Sequence, residues 1–132
     1  MKTTMLFLCL FFFSCGYFED DGYLYEKKLV GKIILSHEKH AERPNLIFKY
    51  SEQSRLGIIG NCKSITYDTI NHRFFVEKFL NQHNSSYYQI SVLDTKTVSS
   101  SKAFKEHRLE GERFNYLVNK CKTCKVIDLT GK

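Results

Sequence analysis

Short apolar segments separated by polar turns occupy the chain from residue 29 to residue 93. Residues 29–35, 45–50 and 87–93 are rich in β-branched and aromatic side chains, and alternate positions of the last segment share one face. Briefer segments of the same kind cover residues 56–59, 64–67 and 72–80. Because no helical pattern separates these segments, they predict an antiparallel β-meander of four to six strands.

The pattern changes at residue 99, where three serines offer N-cap side chains for a helix. Residues 102–120 are mostly helix formers of mixed charge, with Phe104, Phe114 and Val118 on a common face. This pattern predicts a C-terminal amphipathic helix packed on one face of the sheet, either continuous or broken near Gly111. The predicted fold class is therefore α+β, and residues 125–132 are expected to add a last strand.

An apolar run precedes these elements. Lys2 is the only charged residue before Glu19, and residues 5–13 are apolar without interruption. A helix needs about 20 such residues to span a bilayer, whereas a short basic start followed by a run of this length is typical of a secretory signal peptide. We expect residues 1–14 to be that signal peptide, and a buried strand or helix of the fold is the alternative.

The sequence Ser14-Cys15-Gly16 directly follows the apolar run and looks like a bacterial lipobox. Phe12 and Phe13 stand where the usual box prefers leucine and a small residue. In this interpretation the chain is cut before Cys15, and the Cys15 sulfur carries a lipid that anchors the protein to a membrane. Ordinary signal cleavage and no cleavage are the alternatives. The predicted location is the cell envelope of a bacterium, at the periplasmic face or the cell surface.

The remaining chain divides into a tether and one domain. Residues 15–22 join the predicted lipid-bearing cysteine to an acidic stretch, which is either a solvated spacer or a sorting signal. Residues 23–132 are long enough for a single α+β domain with one core. Apolar residues make up 42% and charged residues 26% of the sequence, which is ordinary for a globular chain and argues against a disordered tail or a coiled-coil rod.

A family resemblance follows from the order of these features. The residues that carry it, after the Cys15 start and the acidic tether, are 23–25, 67–68, 73–78, 87–90 and 93–95. In this order, a strand with an aromatic or aliphatic pair before a lysine precedes a tyrosine-rich strand that ends in aspartate, and a helix follows. The chain resembles a family of small bacterial lipoproteins of unknown function. The resemblance implies a fold and an envelope location, but no activity.

Three cysteines follow Cys15. Cys121 and Cys124 form a CxxC sequence, and Cys62 lies far upstream. An exported protein meets oxidising conditions, so we expect a structural disulfide, either between Cys62 and one of the pair or within the pair, with Cys62 buried as an apolar residue. Redox catalysis is disfavoured because the pair follows a predicted helix, whose negative end raises a thiol pKa. A CxxC sequence supplies two of the four ligands that zinc needs, so we expect no metal and no cofactor; a zinc site completed by Cys62 and a histidine is the alternative.

The positive charge of the chain bears on its partners. The formal net charge is +6, and Lys and Arg outnumber Asp and Glu between residues 102 and 125. Nucleic acid is not an expected partner outside the cytoplasm, whereas an anionic lipid surface or an acidic protein face is. A solvated helix face is the alternative interpretation of this charge.

No catalytic motif is present in the sequence. It contains no GxSxG, no phosphate-binding loop, no glycine-rich dinucleotide turn and no paired-carboxylate signature, so we expect a protein that is not an enzyme. We therefore predict an envelope protein that acts by binding, most concretely an immunity protein that neutralises a toxin from a neighbouring cell. An envelope housekeeping or small-ligand-binding lipoprotein is the alternative. Aromatic and arginine side chains often anchor interfaces, and the predicted interface residues are Tyr87, Tyr88, Tyr116, Arg108 and Arg113.

Overall fold

A computed structural model describes residues 22–97 and 99–130, which form antiparallel strands in two sheets and two short helices. The predicted signal peptide, Cys15 and all but the last residue of the tether lie outside the described residues. The α+β class is confirmed. The described strands number nine and divide between two sheets, where the sequence predicted one meander of four to six.

The first sheet contains its four strands in chain order: β1 (Tyr23–Val30), β2 (Ile33–Glu38), β3 (Asn45–Lys49) and β4 (Arg55–Ile59). The turn between β1 and β2 requires a glycine at position 31. Gly31 has a φ of +55°, in the left-handed region where a side chain is strained. A Cβ atom there would also lie 2.9 Å from the backbone oxygen of Thr95. Conformation and space therefore both exclude a larger residue.

The second sheet has the strand order β8-β7-β6-β5-β9. Its strands are β5 (Cys62–Asp68), β6 (Arg73–Asn81), β7 (Asn84–Val92), β8 (Phe104–Leu109) and β9 (Cys124–Val126). Helix α1 (Ser100–Ala103) connects β7 to β8, and helix α2 (Gly111–Lys120) connects β8 to β9. Neither helix in this described part of the chain is long and apolar enough to cross a membrane.

The core lies between the two sheets. Side chains alternate between the faces of a strand, so each sheet supplies one apolar face. The buried core side chains of the first sheet are Ile33, Leu35, Leu46, Phe48 and Ile59, and those of the second are Cys62, Ile65, Phe74, Val76 and Ile90. Burial of these side chains is the main force that holds the sheets together.

Helix α2 covers the opposite face of the second sheet. Its buried residue Phe114 contacts Phe75 and Tyr87, with ring centroids 6.2 Å and 4.8 Å away. A Cβ atom at Gly111 would lie 3.2 Å from the Tyr87 ring, so glycine at the helix start lets the ring approach closely. The predicted packing of a C-terminal helix on one sheet face is therefore confirmed, and the molecule has three layers.

The predicted extent of that helix is wrong. Residues 104–109 form strand β8, which pairs with β7 from Tyr87↔Leu109 to Val92↔Phe104. Helix propensity is a weak preference. Pairing with β7 outweighs that preference because β7 supplies hydrogen-bond partners for the backbone groups of the whole segment. Phe104 consequently packs against Phe48, at a centroid distance of 5.7 Å. The predicted last strand is present, but it is limited to Cys124–Val126, which pairs with β5.

Candidate functional site

The two cysteines of the CxxC sequence form a disulfide directly after α2, with Cα atoms 5.5 Å apart. Cys62 is fully buried and free, and burial raises the pKa of its thiol to about 12. Cys62 and Asp68 mark the two ends of β5, about 20 Å apart for a strand of this length, and Asp68 pairs with Cys124. This distance explains why the pair closes locally and leaves Cys62 in the core.

A buried carboxylate holds the disulfide turn in place. Asp68 is 0% exposed and accepts hydrogen bonds from Thr123 Oγ1 at 2.6 Å, Asn71 Nδ2 at 2.9 Å and Arg73 Nε at 3.1 Å. It also accepts from the backbone N–H groups of Ile70 and Asn71. Burial raises the pKa of Asp68, but these hydrogen bonds outweigh burial and hold the pKa well below its usual value. The carboxylate therefore stays charged and links the β5–β6 turn to the disulfide turn.

Sequence reasoning missed this network. Asp68 followed three residues later by Asn71 is a signal for a side-chain-stabilised turn. Thr123 lies 55 residues away in the chain, and no local pattern links it to Asp68.

The same carboxylate lies next to the two sulfurs. One oxygen of Asp68 and the Sγ atoms of Cys121 and Cys124 all lie within 4.8 Å of one another. Zinc binds thiolates, and neither sulfur is a thiolate while the disulfide is closed. Because the Asp68 oxygens already accept several hydrogen bonds, this donor set does not fit a metal ion in the disulfide form.

The exposed side of α2 and the disulfide turn form a basic face, which we define as Arg113, Tyr116, Lys120, Lys122 and the nearby Ile70. Residues three or four apart on a helix are neighbours, and here two cations flank one aromatic ring. The Arg113 guanidinium carbon lies 5.5 Å and the Lys120 ammonium nitrogen 4.6 Å from the centroid of Tyr116. Tyr116 is 48% exposed and Ile70 66% exposed. The face thus combines apolar area with fixed positive charge.

A cavity of about 390 Å³ opens beside the basic face, between α2 and the β5–β6 turn. Tyr116, Lys120 and Lys122 line one side, and Ile70 and Arg73 line the other. Within residues 22–97 and 99–130, no ion pair engages the cations of the basic face. Within that part of the chain, the charge of these cations is not offset by a direct ion pair.

The five predicted interface residues do not share one surface. Arg113 and Tyr116 belong to the basic face. Tyr87 lies half-buried under α2 and, together with Arg108, lines a separate cavity of about 490 Å³. Tyr88 points to the other face of β7, where it packs against the core between the sheets. Of the predicted set, Arg113 and Tyr116 are therefore the pair that the structure places on one exposed helix face.

Comparisons with protein families, with curated protein sequences and with solved structures find no match to this chain. Its function is therefore inferred from the site alone.

Proposed function

We propose that this protein is a lipid-anchored envelope protein that acts by binding, most concretely an immunity protein that neutralises a toxin delivered by a neighbouring cell. Its partner presents an acidic surface with an apolar or aromatic side chain at the centre. The lipid on Cys15 holds the protein at the membrane, where it meets the incoming toxin.

The observation that carries this proposal is the exposed ring of Tyr116 between two cations that have no ion pair with any described residue. Interface energy is concentrated in a few aromatic and arginine anchors, and adjoining pockets receive anchors from the partner. Tyr116, Arg113 and the cavity beside them supply both parts. Complementary charge also speeds the encounter between partners, which favours interception of a toxin in transit.

The scaffold below the basic face supports this role. Phe114 fixes α2 to the second sheet, and Asp68 fixes the disulfide turn through Thr123. A surface on ordered elements loses little conformational entropy when it binds, so more of its contact energy appears as affinity.

The proposal is tested in bacteria that are sensitive to a toxin-delivering neighbour. Cells that express the full chain are expected to survive contact with that neighbour. The double charge reversal Arg113→Glu with Lys120→Glu is expected to lower survival about tenfold or more, because it replaces attraction with repulsion at the interface.

The matched control is Lys28→Glu with Lys39→Glu, which makes the same change in charge at two exposed residues of the first sheet, one on β1 and one just after β2. This control is expected to protect as well as the native chain. Equal survival with and without the native chain, across toxin-producing neighbours, would contradict the proposal and favour the housekeeping alternative.

A further inference from the structure

Strand β8 is an edge of the second sheet, and no strand within residues 22–97 and 99–130 pairs with its outer side. The other edges of the described sheets carry features that hinder pairing with another chain. The pairings of β1 and β4 contain register shifts, and β9 has three residues. β8 instead pairs with β7 over six consecutive residues without a shift. It therefore offers another strand a regular row of backbone groups.

The backbone groups on the outer side of β8 belong to its even-numbered residues. Leu93, directly after β7, donates its N–H to the backbone oxygen of Ala103, directly before β8. Successive residues of a strand direct their N–H and C=O groups to opposite sides, so the odd-numbered residues of β7 and β8 bond to each other. Glu106 and Arg108 consequently direct their N–H and C=O groups toward the outer side.

The side chains of this edge carry charges of both signs. The four side chains of residues 105–108 are all exposed. Neither Glu106 nor Arg108 makes an ion pair with a described residue. Glu106 and Arg108 are two residues apart, so they lie on the same face of the sheet. The edge thus presents one acidic and one basic group that a complementary strand can pair with.

We propose that β8 pairs with β8 of a second copy of this chain, in an antiparallel arrangement with a twofold axis at His107. Glu106 then lies opposite Arg108 of the partner subunit, and the same pair recurs on the other side of the axis. The two copies of the second sheet join into one sheet of ten strands. This interface lies at the sheet edge and does not depend on the proposed immunity function.

The charges select this register. Residues opposite each other must share a face of the sheet, so the axis passes through a residue that lies opposite its own copy. An axis at Lys105, Glu106 or Arg108 places like charges directly opposite each other, which is destabilising. His107 is counted as neutral at pH 7, and the axis there brings two pairs of opposite charge together.

The interface is small. Two strands of this length bury less than the roughly 1,200 Å² of stable protein interfaces, so the expected Kd is about 0.1 mM in solution. The predicted lipid anchor would hold several copies in one membrane and raise their effective concentration.

The test is disulfide trapping with copper phenanthroline, in the full chain carrying Cys9→Ser and Cys15→Ser, in mild non-ionic detergent near the expected Kd. At the axis, His107→Cys places two Cα atoms about 4.5 Å apart, within reach of a disulfide. Lys105→Cys is the matched control, because it is exposed on the same face but its two copies lie about 14 Å apart. His107→Cys is expected to form a covalent dimer at least about tenfold faster than Lys105→Cys. Equal rates, which association through another surface would produce, would overturn the proposal.

Charge variants on the His107→Cys background test the register. Glu106→Arg places arginines opposite each other, and Arg108→Glu does the same with carboxylates, so each is expected to slow trapping about tenfold. The double variant Glu106→Arg with Arg108→Glu restores opposite charges and is expected to regain the original rate. A double variant as slow as the single variants, or single variants as fast as the His107→Cys protein, would contradict the pairing.

Discussion

Asp68 connects the disulfide turn near the C-terminus to the β5–β6 turn. It places a full negative charge in a position without solvent exposure. Such a charge is tolerated only where hydrogen bonds and a cation replace water. The β5–β6 turn and Thr123 of the disulfide turn both donate hydrogen bonds to this carboxylate. The folding of these two turns is therefore linked through one side chain.

Replacement of Asp68 by asparagine is expected to lower the free energy of unfolding at pH 7 by about 2–4 kcal/mol, because the donors around it lose their acceptor charge. In the native protein the carboxylate stabilises the fold fully above the pKa of an unfolded aspartate, about 3.9. That contribution is lost as the pH falls below this value through the lower folded pKa.

Urea unfolding at pH 7, 5 and 3 measures both effects. The native protein is expected to lose stability between pH 5 and pH 3 more steeply than Asp68→Asn. Asp94→Asn, at an exposed aspartate in the loop after β7, should change the free energy of unfolding by less than about 0.5 kcal/mol. Equal acid sensitivity of the native and Asp68→Asn proteins would refute the assigned role of Asp68.

Cys62 offers a second test at the scale of the residue. Alkylating reagents react with the thiolate, and burial both shields this thiol and raises its pKa to about 12. In a full chain carrying Cys9→Ser and Cys15→Ser, native protein is therefore expected to resist alkylation of Cys62. Mass spectrometry should detect one modified cysteine after unfolding without reductant, and three when reductant is added. Labelling of Cys62 in the native state would contradict its burial, and three labelled cysteines without reductant would contradict the assigned disulfide.

At the scale of the element, one face of α2 packs on the fold and the other is the face that we propose binds a partner. Phe114 faces the second sheet and is buried, whereas Tyr116 faces solvent between Arg113 and Lys120. This arrangement makes the two aromatic residues of one helix a matched pair for experiment.

Phe114→Ala is expected to lower the free energy of unfolding by about 3 kcal/mol, because it removes the main contact of α2 with Phe75 and Tyr87. Tyr116→Ala is expected to cost less than about 1 kcal/mol, since it removes a half-exposed ring with two weak cation contacts. Chemical denaturation of both variants measures the difference. Similar losses in the two variants would show that the solvent face of α2 also contributes to the fold.

Strand β8 shows where local pattern and tertiary context disagree. Residues 104–109 have the mixed charge of a surface helix, and four of the six side chains are exposed. This segment nevertheless pairs with the edge of β7 and becomes a strand of the sheet. Sequence periodicity identified an exposed, charged segment correctly, but the partner that decides between helix and strand lies outside the local window.

At the scale of the whole molecule, the two sheets present opposite outer surfaces. The second sheet bears α2 and the basic face, while the first sheet bears a cavity lined by Ser36. The proposed acidic partner would therefore meet the molecule on the side of the second sheet. The predicted tether, residues 15–22, joins the predicted lipid to β1.

The lipid anchor remains a prediction that concerns the whole protein. Cys15→Ser is expected to abolish lipidation and move the protein out of the membrane fraction, because acyl chains supply the membrane affinity. Intact-mass analysis of the native protein should show a chain that begins at Cys15 and carries acyl groups. Cys9→Ser, in the apolar run, should leave fractionation unchanged. A native chain that retains Met1 would contradict both the signal peptide and the anchor.

The sequence by itself determined the α+β class, the packing of a C-terminal helix on a sheet and the polarity of most surface segments. These properties follow from periodicity among residues close together in the chain. Only the tertiary structure decided the division into two sheets, the local pairing of Cys121 with Cys124, the burial of Asp68 and the cavity at Ser36. Each of these depends on distant segments, such as Asp68 and Thr123, 55 residues apart. Whether such distant segments become buried or paired depends on the tertiary fold, so it cannot be deduced from a pattern of neighbouring residues.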